Sequence, residues 1–372
     1  MAMTEMQYQN NKNLFDRISR TLVSTILLFF TLSFVMAPDA KAQSRLVKII
    51  FDMYHAGPNS LADMPPLERI EAPLRTALVA LAMGDLRTAK EKGEEAGFRH
   101  VVIEEDGGKY SILQSIDQPD VHATIVVDHA PLRDLIIEAA HPKKDLDTDR
   151  QAAVLFKMLG ARVLILAGAN RCAARAETAC SGRTRICNRD FRDPYRTSDV
   201  AHSVDNVFHI AHTVFASFWP NAIFLQPHGF SNKGSSVWFV FSDTSTRSAV
   251  GDSSVVGRLR NHIRDSLARR DRAISCQDSA DNEIETRRLC ASTNVQGRML
   301  NGSRDACLEK TKKSSGRFVH VEQVYYEVRR PFGYNWSDLK KHPGSIAILN
   351  ALAAETPCLK ASGCGLRSLG AN

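Results

Sequence analysis

From residue 134 onward, short apolar runs of strand length alternate with stretches of helical spacing. The runs lie at 135–140, 162–167, 222–226, 237–241 and 317–322, with helical patterns at 148–160, 199–217 and 252–272. This alternation predicts an α/β fold, a mixed and mostly parallel sheet flanked by helices on both faces. Sheets of that kind carry their chemistry at strand ends. Three of the runs end in chemically capable groups: Ala140-His141-Pro142, Gln226-Pro227-His228-Gly229 and His320-Val321-Glu322.

The chain before this region reads differently. Residues 43–56 read as a lead-in strand, and 66–97 has helical spacing with Leu74, Leu78, Leu81 and Ala82 on one side. Two β-prone runs over 100–114 flank Asp106-Gly107-Gly108, a hairpin signal, and a strand follows over 123–127. Residues 276–317 are polar and read as a long loop, the strand at 317–322 is expected to close the sheet, and 337–355 is helical. The expected division is a signal peptide over 1–42, an N-terminal helix and hairpin region over 43–118, a catalytic domain over 119–335 and a cysteine-containing tail over 336–372.

Residues 22–37 form an uninterrupted apolar run, preceded by Lys12, Arg17 and Arg20 and followed by Ala40-Lys41-Ala42. That is the anatomy of a signal peptide cleaved after Ala42, so the protein is expected in the periplasm or outside the cell, with no membrane span once the leader is removed. All eight cysteines lie beyond the leader. An even number in an exported chain implies disulfides, with Cys358 and Cys364 close enough to close a small loop. Cys172, Cys180 and Cys187 crowd one segment, so one of them is expected to pair at long range. No Cys-x2-Cys pair supports a structural zinc cluster. The net charge of +7 fits anionic substrates, while no nucleic-acid-binding module is present.

A catalytic zinc needs three protein ligands and an open position. His141 with Asp145 fits a local ligand pair, because the proline after His141 turns the chain back. His228 fits the distant third ligand, and Gly229 after it would leave room for substrate. Glu322 on the last strand is the candidate general base. Arg171 and Arg196 are candidates for holding a substrate carboxylate bidentately. The bland alternatives are a hydrogen-bonded turn histidine, aspartates capping the helix at 148, and ordinary surface ion pairs.

His141 and its aspartates, Leu159-Gly160-Ala161-Arg162-Val163-Leu164 after a helix, Asn170-Arg171, His228 and Glu322 resemble the carboxypeptidase-like zinc hydrolases. The resemblance covers roughly residues 120–325 and looks nearest the N-formylglutamate amidohydrolases, with aspartoacylases and poly-γ-glutamate hydrolases as relatives. It implies one zinc on His141, Asp145 and His228, Glu322 as base, and Asn170-Arg171 at a carboxylate of a small acidic peptide or amide substrate. The family's usual pair is His-x2-Glu where this chain has His-x3-Asp, which leaves Asp147 and Asp149 as alternative ligands. The cysteine-bearing insertion after Arg171 also departs from the pattern.

His202, His209 and His212, at helical spacing, read either as a rival metal set or, in preference, as residues that line or buttress the pocket or lie on a polar helix face. Thr293–Ser303 reads as a substrate loop feeding the Glu322 strand. No Gly-x-Ser-x-Gly elbow is present. Two functions therefore stand: an exported zinc amide hydrolase, or a non-catalytic exported protein on a degenerate hydrolase fold that holds an anionic polymer.

Overall fold

A computed structural model describes residues 44–54, 60–231, 236–246, 251–276, 289–334 and 336–369. The expected signal peptide, residues 1–42, lies outside them. So does much of the loop expected from residue 276.

The chain begins with a helix where a strand was expected. Helix α1 (Arg45–Met53) buries Leu46, Val47 and Ile50, and Ser44 caps it by accepting from the Val47 N–H. Burial at i, i+1 and i+4 is a helical period; the β-branched content of the segment hid it. The helical stretch that follows is two helices, α2 (Glu71–Met83) and α3 (Leu86–Glu95). Gly84, at φ +78°, ends the first and the Asp85 side chain caps the second. Leu74, Leu78 and Leu81 are fully buried as expected, whereas Ala82 is only half-buried.

Strands β1 (Phe98–Glu105) and β2 (Gly108–Ser115) form the expected hairpin. Asp106 and Gly107 both have positive φ, the requirement of the tight two-residue hairpin turn. Then come β3 (Thr124–Asp128), β4 (Leu135–Ala139), α4 (Thr148–Leu159) and β5 (Val163–Leu166). A small hairpin, β6 (Arg183–Thr184) with β7 (Asp193–Pro194), interrupts the α/β alternation. It resumes with α5 (Val207–Phe218), β8 (Ile223–Gly229), β9 (Phe239–Ser242), α6 (Val255–Ser266) and β10 (Ala273–Ser275). Helix α7 (Val295–Leu300), strand β11 (Phe318–Gln323) and helix α8 (Pro343–Glu355) complete the elements used below.

The main sheet runs in the order β1-β2-β3-β5-β4-β8-β11-β9-β10. Pairs β5/β4, β4/β8, β8/β11 and β9/β10 are parallel and the rest antiparallel. β11 therefore sits inside the sheet, between β8 and β9, and does not close its edge. Successive residues along a strand serve opposite faces. Ile137 and Leu164 pack with α1, α4, α6 and α8, while Ile136 and Ile165 pack with α2, α3 and α5. Every residue of β3, β4 and β5 is buried, as a strand covered on both sides must be.

Helix α5 starts at Val207, not at 199. The Asn206 side chain caps it, which leaves 199–206 as a turn region that serves the site. All eight cysteines are paired: Cys172–Cys187, Cys180–Cys307, Cys276–Cys290 and Cys358–Cys364. Cys180 makes the long-range bridge and Cys358–Cys364 the small loop. Among the described residues no helix is long and apolar enough to cross a membrane.

Candidate metal centre

The carboxyl ends of β4, β8 and β11 lie side by side near the middle of the sheet, and three expected site residues meet there. His141 follows β4. The backbone N–H groups of Lys144 and Asp145 both donate to its carbonyl, at 3.0 and 2.8 Å, so the chain turns back and returns Asp145 to the imidazole. His228 is the penultimate residue of β8. Nδ1 of His141 lies 3.1 Å from Nδ1 of His228. Oδ2 of Asp145 lies 3.1 Å from His228 Nδ1 and 3.6 Å from His141 Nδ1. All three residues are at least nine-tenths buried.

These separations test the fit of a cation. Bonds of about 2.0–2.1 Å in tetrahedral array set ligand atoms about 3.3 Å apart, the spacing of this triangle. The far side of each ring agrees. Nε2 of His141 donates to Oδ1 of Asp199 at 2.7 Å, and Nε2 of His228 donates to Oε1 of Gln226 at 2.8 Å. With hydrogens on the ε nitrogens, both δ nitrogens turn lone pairs toward the same point as the Asp145 oxygen. The donor set of two imidazoles and a carboxylate therefore fits a borderline divalent ion such as zinc.

Asp199 is the hub behind the triangle. Its Oδ1 also accepts from Nδ1 of His202 at 2.9 Å, and its Oδ2 accepts from Nε and Nη2 of Arg171 at 2.9 and 2.6 Å. Burial alone would raise its pKa; the Arg171 charge and the two imidazoles outweigh that and hold it well below the carboxylate range. Burial acts on Asp145 in the same sense, and the neighbouring imidazoles of His141 and His228 outweigh it and lower it. Burial pushes His228 and His202 down to about 4.

Glu322 pairs in register with His228 across β8 and β11, and His320 with Gln226, so the four share one face of the sheet. Glu322 is pushed up to about 8, first by burial and then by the charge of Asp145. Its Oε2 is buried with no hydrogen-bond partner, as is Nδ1 of His320. A buried carboxyl oxygen left unpaired is a polar group that calls for a partner.

A cavity of about 640 Å³ opens over this face, and His141, Asp145, His228 and Glu322 all line it. Arg171 lines it too, its Nη1 3.1 Å from Nδ1 of His141. The other expected residues fall elsewhere. Asn170 accepts from the Cys172 N–H at 3.1 Å and shapes the turn below Arg171; it does not reach the cavity. Arg196 is spent on the Arg175 carbonyl at 2.6 Å, with Glu177 and Asp193 within 4 Å, and is not part of the cavity wall. The guanidiniums that line the cavity beside Arg171 are Arg183, Arg185 and Arg192, all exposed on the β6–β7 hairpin.

Asp147 and Asp149 do not join the triangle. Asp147 accepts from the Tyr325 hydroxyl at 3.1 Å, and it sits at the α4 N-cap position without capping through its side chain. Asp149 is raised to about 6 by burial. The rival histidine set does not converge: His202 serves Asp199, while His212, stacked on His209 at 6.1 Å, pairs with Glu138 at 2.7 Å. Gly229 lines the cavity as expected, but the space beside its Cα is taken by Arg329. A Cβ there would stand 2.3 Å from the Arg329 guanidinium carbon, and Arg329 ties the Leu146 carbonyl to the end of β11.

Asp199, Gln226 and His320 escaped the reading of the sequence as site residues, whereas His202 stood there in the histidine set and does line the cavity. For Gln226 and His320 a signal existed: each stands two positions before a site residue in an otherwise apolar strand. Nothing local marks Asp199.

No family model matches the chain, and no curated protein sequence matches it. Among solved structures it resembles an N-formylglutamate amidohydrolase from Ralstonia eutropha JMP134, with a TM-score of 0.34 and 10% identity over 62% of this chain and 97% of that one. A likeness so slight leaves the chemistry to be argued from the residues themselves.

Proposed function

We propose that this protein is an exported zinc-dependent amide hydrolase that cleaves an amide bond next to a carboxylate. The observation that carries the reading is the triangle of His141 Nδ1, His228 Nδ1 and Asp145 Oδ2, with each ring's other nitrogen donating to a buried acceptor. In this reading the three residues hold one zinc. A zinc ion in such a set supplies Lewis acidity and lowers the pKa of water at its open position to about 7.

The chain's own groups do the rest. Glu322 is the general base: it takes a proton from the attacking water and returns it to the leaving nitrogen. Burial and Asp145 hold that carboxyl protonated up to about pH 8 in the metal-free protein. With a divalent cation held by the triangle, Glu322 would be favoured in its carboxylate form, the form a base needs. Arg171 keeps two nitrogens on Asp199 and has Nη1 facing the site, where it holds a substrate oxygen. Arg183, Arg185 and Arg192 receive the acidic part of the substrate, a small acidic peptide or amide, in the role first assigned to Arg196.

Export is the natural setting for four disulfides. The test is metal analysis with turnover. The purified protein is expected to carry about one zinc per chain, lose it on His141→Ala or His228→Ala, and hydrolyse N-acylated acidic amino acids only when loaded. Zinc-free protein that still holds an anionic polymer tightly would favour the non-catalytic reading instead.

A further inference from the structure

The amide of Gln226 is held from two sides. Nδ2 of Asn294 donates to its Oε1, and its own Nε2 donates to Oε2 of Glu138 at 3.3 Å. Asn294 has no choice of orientation. It is the N-cap of α7, and its Oδ1 accepts the backbone N–H of Gly297 at 2.8 Å. A peptide N–H only donates, so Asn294 must turn its NH2 to Gln226. Gln226 must then answer with oxygen, and Nε2 of His228 must carry the hydrogen. Glu138 reaches the same result from the opposite side: it is fully buried, and its carboxylate accepts from the Gln226 NH2. Its other oxygen lies 2.7 Å from Nδ1 of His212.

We propose that Asn294 and Glu138 are positioning residues of the metal centre, a two-point lock that makes His228 present its Nδ1 lone pair to the cation. The proposal rests on the metal reading above. Neither residue belongs to the ligand triangle; both act through Gln226. If the lock is opened, the Gln226 amide turns, its NH2 faces Nε2, and the imidazole shifts to the tautomer whose Nδ1 carries a hydrogen into the site.

Asn294→Asp separates this role from a structural one. Aspartate caps a helix as well as asparagine does, so α7 keeps its start, but an acceptor now opposes Oε1 of Gln226. Zinc affinity measured by chelator competition on the oxidised protein is expected to fall about 10–100-fold, with a cooperative melt of the metal-free protein showing that it is still folded. Glu138→Met, matched in length and without an acceptor, opens the other side and is expected to weaken zinc likewise. Glu138→Gln, which still accepts from Gln226 once its NH2 donates to Nδ1 of His212, is expected to retain affinity. Folded variants that bind zinc as tightly as the wild type would overturn the lock while leaving the metal reading intact. A wild type that binds no zinc would remove both.

Discussion

At the residue scale, function hangs on what each buried polar atom has for a partner. His141 spends one nitrogen on the Asp199 carboxylate and His228 one on the Gln226 amide oxygen, and each keeps the other for the shared point. Glu322 keeps an oxygen unspent in a buried position. Changing Glu322 to Gln is therefore expected to leave zinc content intact and lower kcat by about 10²–10⁴-fold, the usual worth of general base catalysis. Retained turnover would remove Glu322 from the mechanism. The strand-end histidines and Glu322 were legible because imidazole and carboxylate stand out after apolar runs. The choice of Asp145 over Asp147 and Asp149 was not, since it depends on the turn closed by the His141 carbonyl. Arg196 misled because an arginine near a site is recognised by its partners, and two of them, the Arg175 carbonyl and Glu177, lie about twenty residues back.

At the element scale, the parallel register of β8 and β11 turns two period-2 pairs, Gln226/His228 and His320/Glu322, into one polar patch on a single face. The sequence showed both strands but not that they are neighbours, because adjacency in a sheet is a long-range property. It likewise hid α1, whose Val and Ile residues favour strands until burial at helical spacing overrides them. The β6–β7 hairpin brings Arg183, Arg185 and Arg192 to the cavity. Replacing all three by glutamine is expected to raise KM for an acidic substrate with a smaller effect on kcat, and the difference should shrink as salt is added. Unchanged KM would clear the hairpin of any role in binding. Arg133, just ahead of β4, is buried and donates to the carbonyls of Leu159, Ala353, Cys364 and Gly365, pinning the C-terminal loop to the sheet. Arg133→Ala is expected to cost about 3 kcal/mol in denaturant unfolding, because it strips four buried or half-buried acceptors at once.

At the scale of the molecule, charge and covalent cross-links set the conditions under which it stays folded. Seven histidines (100, 122, 129, 202, 209, 228 and 320) are held below their ordinary value, chiefly by burial, with His122 near 4 and His209 near 3. A depressed histidine favours the folded state above pH 6.5 and loses that favour as pH falls toward its folded value. Three raised carboxyls, Asp128, Asp149 and Glu322, act in the opposite sense. The histidines outnumber them, so between pH 6.5 and 4 the unfolded chain binds more protons and the melting temperature of the metal-free protein is expected to drop. A flat or rising profile over that range would contradict the burial described. The α/β class followed from strand–helix alternation alone, whereas the antiparallel β1–β3 edge and the inward place of β11 arise from pairings between distant segments.

The account turns on one point in space, between Nδ1 of His141, Nδ1 of His228 and Oδ2 of Asp145. Anomalous scattering at the zinc edge, recorded from crystals of the protein as purified, looks at that point directly. A single strong peak there, within about 2.0–2.2 Å of all three atoms, is the predicted result. Ordered side chains with no peak, in protein that nonetheless hydrolyses its substrate, would contradict the claim.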